Sequence, residues 1–300
     1  MIDMLAGALL QAVAMPQCDV ELVVLGVAQD GGVPQVNVQD DPAWADDGLR
    51  RRVVSLGVID RQAGTRYLFE ATPDFRTQLH DLNAQADLSG APDGIFLTHA
   101  HIGHYTGLML LGFESMSAEA APVYSLPMMA NFLRSNGPWD QLVRYENIDL
   151  QVMMAEQRVA LTPNLGVTAF EVPHRREYAE TAGFKIDGPN LSVIFIPDID
   201  RWAEWDTRIE DIVAENEIVY VDATFFDDHE LPGRDMSAIP HPRVAETMDL
   251  FQDQPAEVRQ RIRFIHYNHT NPIRFEDSAE TQDVLARGFR IAREGERVCL

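Results

Sequence analysis

Gly94-Ile-Phe-Leu-Thr-His-Ala-His-Ile-Gly-His104 is the stretch whose reading decides the fold. Ile95–Leu97 is a short apolar run that reads as a buried strand, and it leads directly into His99, His101 and His104. Along an extended chain, residues two apart point the same way, so His99 and His101 can grip one ion together. Thr106-Gly-Leu-Met-Leu-Leu-Gly112 reads as the opening of a helix, and His104 at that turn can face back into the same pocket. Neutral imidazole is a good zinc ligand and also serves iron and manganese. The chain has nine histidines; three of them at one strand-to-helix corner favour a metal site over three unrelated loop residues.

Further ligand candidates follow or close predicted strands. His174 follows Val167–Val172, Asp198 follows Val193–Ile196, and His266 closes Arg263-Phe-Ile-His. Taken singly, each matches ordinary loop chemistry, since Asp after Pro is a common turn residue. Together they carry more weight, because strand ends on one rim of a sheet converge on a single crevice. His269 is the alternative to His266 as the last ligand, or a residue supporting it. Asp222, at the end of the predicted strand Ile218–Val221, either orients a ligand imidazole or caps a turn before Thr224. Asp30 lies in the loop Gly26-Val-Ala-Gln-Asp-Gly-Gly-Val-Pro-Gln35, where a glycine pair lets backbone approach a ligand closely. It is a candidate to enter the pocket from the first strand end.

Outward from this corner the chain alternates strands and helices. Val20–Leu25, Val53–Ile59 and Tyr67–Phe69 read as strands, and Phe75–Asn83 as a helix. Val36–Leu49 reads as an acidic surface loop, Met128–Asn136 as a helix, and Gly137-Pro-Trp-Asp140 as the start of a loop. A strand-rich stretch from Leu150 to Ile196 precedes a second set of helices at Ile209–Ala214, Arg243–Phe251, Glu257–Arg261 and Ser278–Arg287. Two stacked sheets flanked by helices, an α+β four-layer αβ/βα sandwich, satisfy this pattern. No long linker or repeat interrupts it, so residues 20–300 read as one domain.

Composition narrows the function. With 46% hydrophobic and 24% charged residues the chain is an ordinary globular one. A formal charge of −23 argues against nucleic-acid binding through a basic surface. Arg175 and Arg176 are the local basic pair available to an anionic small-molecule substrate. Cys18 and Cys299 are too few for a disulfide framework or a four-cysteine zinc site, and they can pair only if the fold joins the termini. Met4–Ala14 is an apolar run ending Ala-Val-Ala, so residues 1–19 read as a signal peptide or N-terminal extension, with a lean towards export to the periplasm over a cytoplasmic location. The run is too short to span a bilayer, so no stable membrane insertion is expected. The oligomeric state is open.

The histidine corner resembles the His-x-His-x-Asp-His motif of the metallo-β-lactamase superfamily, with Gly103 in the place of the aspartate. The resemblance implies a first metal on His99, His101 and His174, a bridging Asp198, and a second metal on His104 and His266. In the superfamily the missing carboxylate binds that second metal, so one tightly held zinc and a weaker second ion are expected, with iron or manganese as alternatives. His241, between two prolines, matches a histidine that some members place beside the metals; Asp198 and His241 are the expected catalytic pair. Leu25-Gly-Val-Ala-Gln-Asp-Gly-Gly, Ala71-Thr-Pro-Asp-Phe-Arg, Val221-Asp-Ala-Thr-Phe-Phe and Phe264-Ile-His-Tyr-Asn-His-Thr-Asn-Pro272 look like the B branch of pyrroloquinoline-quinone biosynthesis. This similarity runs from about Val20 to Leu300. The expected function is hydrolysis by a metal-activated water; the rivals are an iron-dependent oxygenase and a non-catalytic metal or cofactor binder.

Overall fold

The computed structural model describes residues 18–300. The expected leader over residues 1–19 therefore lies, but for its last two residues, outside the described part. The strands, in chain order, are β1 (Val20–Gly26), β2 (Ser55–Asp60), β3 (Thr65–Phe69), β4 (Gly94–Phe96), β5 (Ala121–Ser125), β6 (Ile148–Val152) and β7 (Arg158–Ala160). There follow β8 (Gly166–Val172), β9 (Thr181–Asp187), β10 (Ser192–Ile196), β11 (Ile218–Asp222), β12 (Ile262–Ile265), β13 (Arg290–Ile291) and β14 (Arg297–Cys299). They form two seven-stranded sheets, ordered β14-β1-β2-β3-β4-β5-β6 and β13-β12-β11-β10-β9-β8-β7.

Side chains alternate across a strand, and the alternation divides the apolar residues between two cores. Val20, Leu22 and Val24 of β1, Val58 of β2, Phe69 of β3 and Phe96 of β4 pack with Val167, Phe184, Val193 and Phe195 of the second sheet. The intervening Val23, Leu25, Leu68 and Ile95 pack instead against helices. Those helices are α1 (Phe75–Ala86), α2 (Ile102–Tyr105), α3 (Pro127–Ser135) and α4 (Trp139–Arg144). In α1 the buried positions Phe75, Gln78, Leu79 and Leu82 recur at helical spacing and make one face. The outer face of the second sheet is covered by α5 (Ile209–Glu215) and α6 (Val244–Leu250) through Ile209, Val213, Val244 and Met248. Two short helices, α7 (Ala256–Arg259) and α8 (Ala279–Ala286), follow. The result is the expected four layers, with the central strands of both sheets buried on both faces and the edge strands β6 and β7 partly exposed.

Several local expectations are corrected. The run after Tyr105 is a 3-10 segment, Thr106–Leu111, and the α-helix is the single turn before it. Its tight winding brings Gly107 against the Ala71 carbonyl, which accepts from Gly107 N at 2.8 Å. Trp139–Arg144, read as loop because Gly137-Pro138 precedes it, is the helix α4, anchored by buried Trp139 and Leu142. Val36–Leu49 is more than a surface loop: Asp41 and Ala43 are buried, and Asp41 ion-pairs Arg274 at 3.0 Å. At the far end, β14 pairs antiparallel with β1, setting Glu21 opposite Cys299. That pairing brings Cys18 and Cys299 to a Cα separation of 5.6 Å, and they form a disulfide. No helix among the described residues is long and apolar enough to cross a membrane.

Candidate metal centre

The strands β3-β4-β5 in one sheet and β10-β11-β12 in the other run parallel, and β1 and β8, each antiparallel to its neighbours, point the same way as β3 and β10 across one intervening strand. Their C-terminal ends therefore open on the same rim. His99, His101 and His104 follow β4; His174 follows β8, Asp198 follows β10, and His266 follows β12. Asp222 closes β11, and Asp30 lies beyond β1.

Donor atoms of His99, His101, His174 and Asp198 all lie within 4.8 Å of one another, as do those of Asp30, His104, Asp198 and His266. The rings of His99 and His174, 75 positions apart in the chain, have centroids only 5.1 Å apart. Asp198 belongs to both groups: its Oδ2 is 3.2 Å from His174 Nε2, 3.3 Å from His99 Nε2 and 3.8 Å from His104 Nε2. It is the shared carboxylate between two adjacent donor sets.

Each imidazole presents one nitrogen inward and has the other engaged from outside. His99 Nδ1 donates to Thr98 Oγ1 at 2.9 Å, and His174 Nδ1 to Asp200 at 2.9 Å. His101 is inverted: its Nε2 reaches Glu177 at 3.2 Å, and its Nδ1 faces the other two imidazoles at 2.8 and 3.1 Å. His104 Nδ1 donates to Glu70 at 3.1 Å, and His266 Nδ1 to Thr224 Oγ1 at 3.0 Å. Fixing one nitrogen leaves the lone pair of the other free towards the centre, which is the arrangement that metal-ligating histidines require.

Glu70, Thr98, Glu177, Asp200 and Thr224, which engage the outer nitrogens of the candidate imidazoles, are the site residues that the sequence alone does not single out. The one available signal was for Asp200, two positions from Asp198 in Ile-Pro-Asp-Ile-Asp. Glu70 is fully buried at a positive φ of 75°, and His266 holds φ 65°. Both are left-handed conformations that bulky residues adopt only where surrounding contacts compel them, a pattern concentrated at functional sites.

The supporting candidates separate clearly. Asp222 is buried; its Oδ2 accepts from His241 Nδ1 at 2.8 Å, and its Oδ1 accepts from Thr224 N and Oγ1 at 2.7 Å. It caps the turn before Thr224, and the imidazole it holds is that of His241, whereas the candidate ligand His266 keeps its Nδ1 3.9 Å from Asp222 Oδ1. His241 Nδ1 also lies 3.3 Å from Asp198 Oδ1, so the histidine stands beside the shared carboxylate. His269 stands apart from both donor sets. Its Nδ1 contacts Asn268 Oδ1 at 2.8 Å, and it joins neither donor set among the described residues, because the turn after His266 carries it to the cleft wall.

Electrostatics match a cation site. Burial works against charge on His174, but Asp198 and Asp200 outweigh it and raise the imidazole to about 10. His266 is likewise raised to about 9, against burial, by its contacts with Asp222 and Asp30. Despite burial, the surrounding histidines hold Asp198 well below the usual carboxylate range. His99 goes the other way: burial, with the neighbouring His104, holds it well below the usual imidazole range. Two buried atoms of the cluster, His266 Nε2 and Asp198 Oδ1, have no hydrogen-bond partner. Buried polar atoms are rarely left so, and both point to a ligand. Imidazole nitrogen with carboxylate oxygen is a donor set for zinc, iron or manganese.

The beta-lactamase superfamily domain model matches residues 65–267. The chain belongs to the beta-lactamase superfamily. Within that superfamily, it is 26% identical to coenzyme PQQ synthesis protein B of Methylorubrum extorquens strain PA1, over 91% of this chain and 98% of the relative. It is 27% identical to the protein of that name from Gluconobacter oxydans strain 621H, over 92% and 97%. Among solved structures it superposes on zinc-bound PqqB from Methylobacterium extorquens with a TM-score of 0.76 at 24% identity, covering 93% of this chain and all of that one. A diphosphatase of the PhnP family follows the same fold, with a TM-score of 0.64 at 19% identity over 94% of this chain and 98% of the other.

Proposed function

We propose that this superfamily member is a metal-dependent hydrolase acting on a small, anionic substrate. The observation that carries the reading is the convergence of five inward-facing imidazole nitrogens on Asp198 beside an open cleft. His99, His101 and His174 would hold one ion, and His104 and His266 a second, with Asp198 between them. A bound divalent ion supplies Lewis acidity and brings the pKa of a coordinated water towards ~7. The zinc named in the PqqB structure and the activity named for the diphosphatase are consistent with this chemistry.

The chain's own residues supply the rest. Although burial opposes charge on His241, Asp222 and Asp198 outweigh it and raise its pKa, which favours the protonated imidazole. With Nδ1 held by Asp222, its Nε2–H is the group able to protonate a leaving oxygen. The cleft, about 480 Å³, is lined by Gln29, Arg175, Phe225, Arg234, His241 and Asn268 among others. On a chain of net charge −23, two guanidiniums at the mouth of an acidic centre suit a substrate bearing a carboxylate or phosphate remote from the scissile bond.

Iron and oxygen chemistry is the second reading. It is favoured by the mixed imidazole and carboxylate donor set and by the PQQ-synthesis names of the curated relatives. The test is a panel of lactones, carboxylesters and phosphodiesters offered to zinc-loaded protein, beside an oxygen electrode with the iron(II)-loaded form. Hydrolysis that vanishes in Asp198→Asn and falls steeply in His241→Ala is expected. Oxygen uptake by the iron form, with no member of the panel cleaved, would overturn the proposal.

A further inference from the structure

The second donor set contains a residue that the superfamily motif does not place there. The motif's aspartate position is Gly103, in the middle of α2 and fully enclosed. A Cβ on Gly103 would lie 2.5 Å from Asp30 Cα, 2.6 Å from Asp30 Oδ1 and 2.7 Å from Asp30 Cγ, closer than the 3.0 Å below which real Cβ atoms essentially never approach. Asp30 therefore fills the volume from which a side chain at position 103 would start. Its Oδ1 is 3.0 Å from His104 Nε2 and 3.5 Å from the unpartnered His266 Nε2.

The loop is held there by backbone. Gln29 N donates to Tyr267 O at 3.0 Å, and Tyr267 N to Val27 O at 3.1 Å, so the chain entering Asp30 is tied to the residue after His266. Gly32 N closes a turn on Gln29 O at 2.8 Å, with Gly32 at φ 66°, a conformation in which glycine is unstrained. The turn aims Asp30 across at His104.

Given the metal reading above, we infer that Asp30 is the carboxylate ligand of the second ion, supplied from the loop after β1 in place of the residue lost at 103. The second set is then complete, with two imidazoles and two carboxylates. It should bind its ion comparably to the first set rather than as the weak site expected from Gly103 alone. The two positions exclude one another: glycine at 103 is what makes room for Asp30, and because the nearest atom is the Asp30 Cα at 2.5 Å, a side chain at 103 would displace the loop backbone itself.

The test is metal stoichiometry after zinc loading and exhaustive dialysis, with zinc affinity measured against a competing chelator and folding followed by circular dichroism. The parent should retain two ions per chain and Asp30→Ala one. Asp30→Asn, nearly the same shape, should weaken one of the two ions by about tenfold or more, since it removes the anionic oxygen while keeping the turn. Gly103→Asp should lose the second ion, because its Cβ displaces the backbone that carries Asp30. His101→Ala should lose the other ion and keep this one. Two ions retained at parental affinity by both Asp30→Ala and Asp30→Asn would overturn the inference, and so would a parent that holds only one. A folded parent that holds none would overturn the metal reading itself.

Discussion

Glu70 should control both metal sites from outside them. Its Oε1 accepts from His104 Nδ1 at 3.1 Å and from the Thr98 hydroxyl at 2.5 Å, and its Oε2 faces Thr98 N at 3.3 Å. Because the Thr98 hydroxyl gives its proton to Glu70, its oxygen is left to accept from His99 Nδ1 at 2.9 Å. One buried carboxylate thus sets the tautomer of a ligand in each donor set. Glu70→Ala would strand the His104 and Thr98 donors in a site with no solvent. At about 1–3 kcal/mol for each unsatisfied buried group, the metal-free fold should lose roughly 3–5 kcal/mol. Loss of such an outer partner lowers metal affinity about 10–100-fold, and the His104 site should suffer more than the His99 site, which feels Glu70 only through Thr98. The φ of 75° adds an internal control: Glu70→Gly relieves the left-handed backbone and should be more stable than Glu70→Ala by about 1 kcal/mol, although it removes one atom more. Urea unfolding in the presence of a chelator measures the first effect, and competitive zinc titration the second. Zinc affinities within about twofold of the parent at both sites in Glu70→Ala would refute the reasoning.

Three further outcomes test the fold and the cleft. Asp41→Ala should cost about 3 kcal/mol in urea unfolding, because it leaves Arg274 buried without its partner at 3.0 Å; a change no larger than that of an exposed pair would refute the account of the Val36–Leu49 segment. Thiol titration of denatured, unreduced protein should find no free thiol, and reduction should destabilise the fold by a few kcal/mol, on the order of 4, because the Cys18–Cys299 bond closes nearly the whole described chain. Burial pushes the Glu230 carboxyl up from 4.5 to about 7, the Thr270 hydrogen bond opposing it only in part. Its folded pKa lies above the unfolded one, so its stabilising contribution is full below about 4.5 and lost as pH rises through about 7. Glu230→Gln should accordingly lose less stability than the parent between those pH values, by on the order of 1 kcal/mol after allowance for partial exposure; parallel pH profiles would contradict this.

How much of this was legible in the sequence depends on how far each residue's role reaches. His99, His101 and His104 announce themselves because three identical ligands follow one short apolar strand, a pattern that core packing does not produce. His174, Asp198 and His266 are legible through their shared position after strands, since strand ends share a rim whatever the loops do. Glu70 is not legible. It closes β3 before Ala-Thr-Pro-Asp, where a turn carboxylate looks the same as a buried one, and only the parallel pairing of β3 with β4 sets it beside Thr98. Asp30 is visible as a polar residue between glycines, but its target depends on the backbone tie to Tyr267, more than two hundred positions away. His269 misleads for the complementary reason: three residues past His266 is close in sequence, yet a turn directs it to the cleft wall. The helix α4 hides behind Gly137-Pro138, whose ordinary meaning is a break, although Pro at a helix start is also well tolerated.

The central claim, that this superfamily fold is built around metal ions for hydrolysis, is tested most directly by the metal content of protein purified without a metal-affinity tag. The arrangement of five imidazoles, Asp198 and Asp30 predicts about two zinc ions per folded chain, retained through dialysis. Folded protein carrying less than roughly a tenth of an equivalent of any divalent metal, even after incubation with zinc, would contradict it.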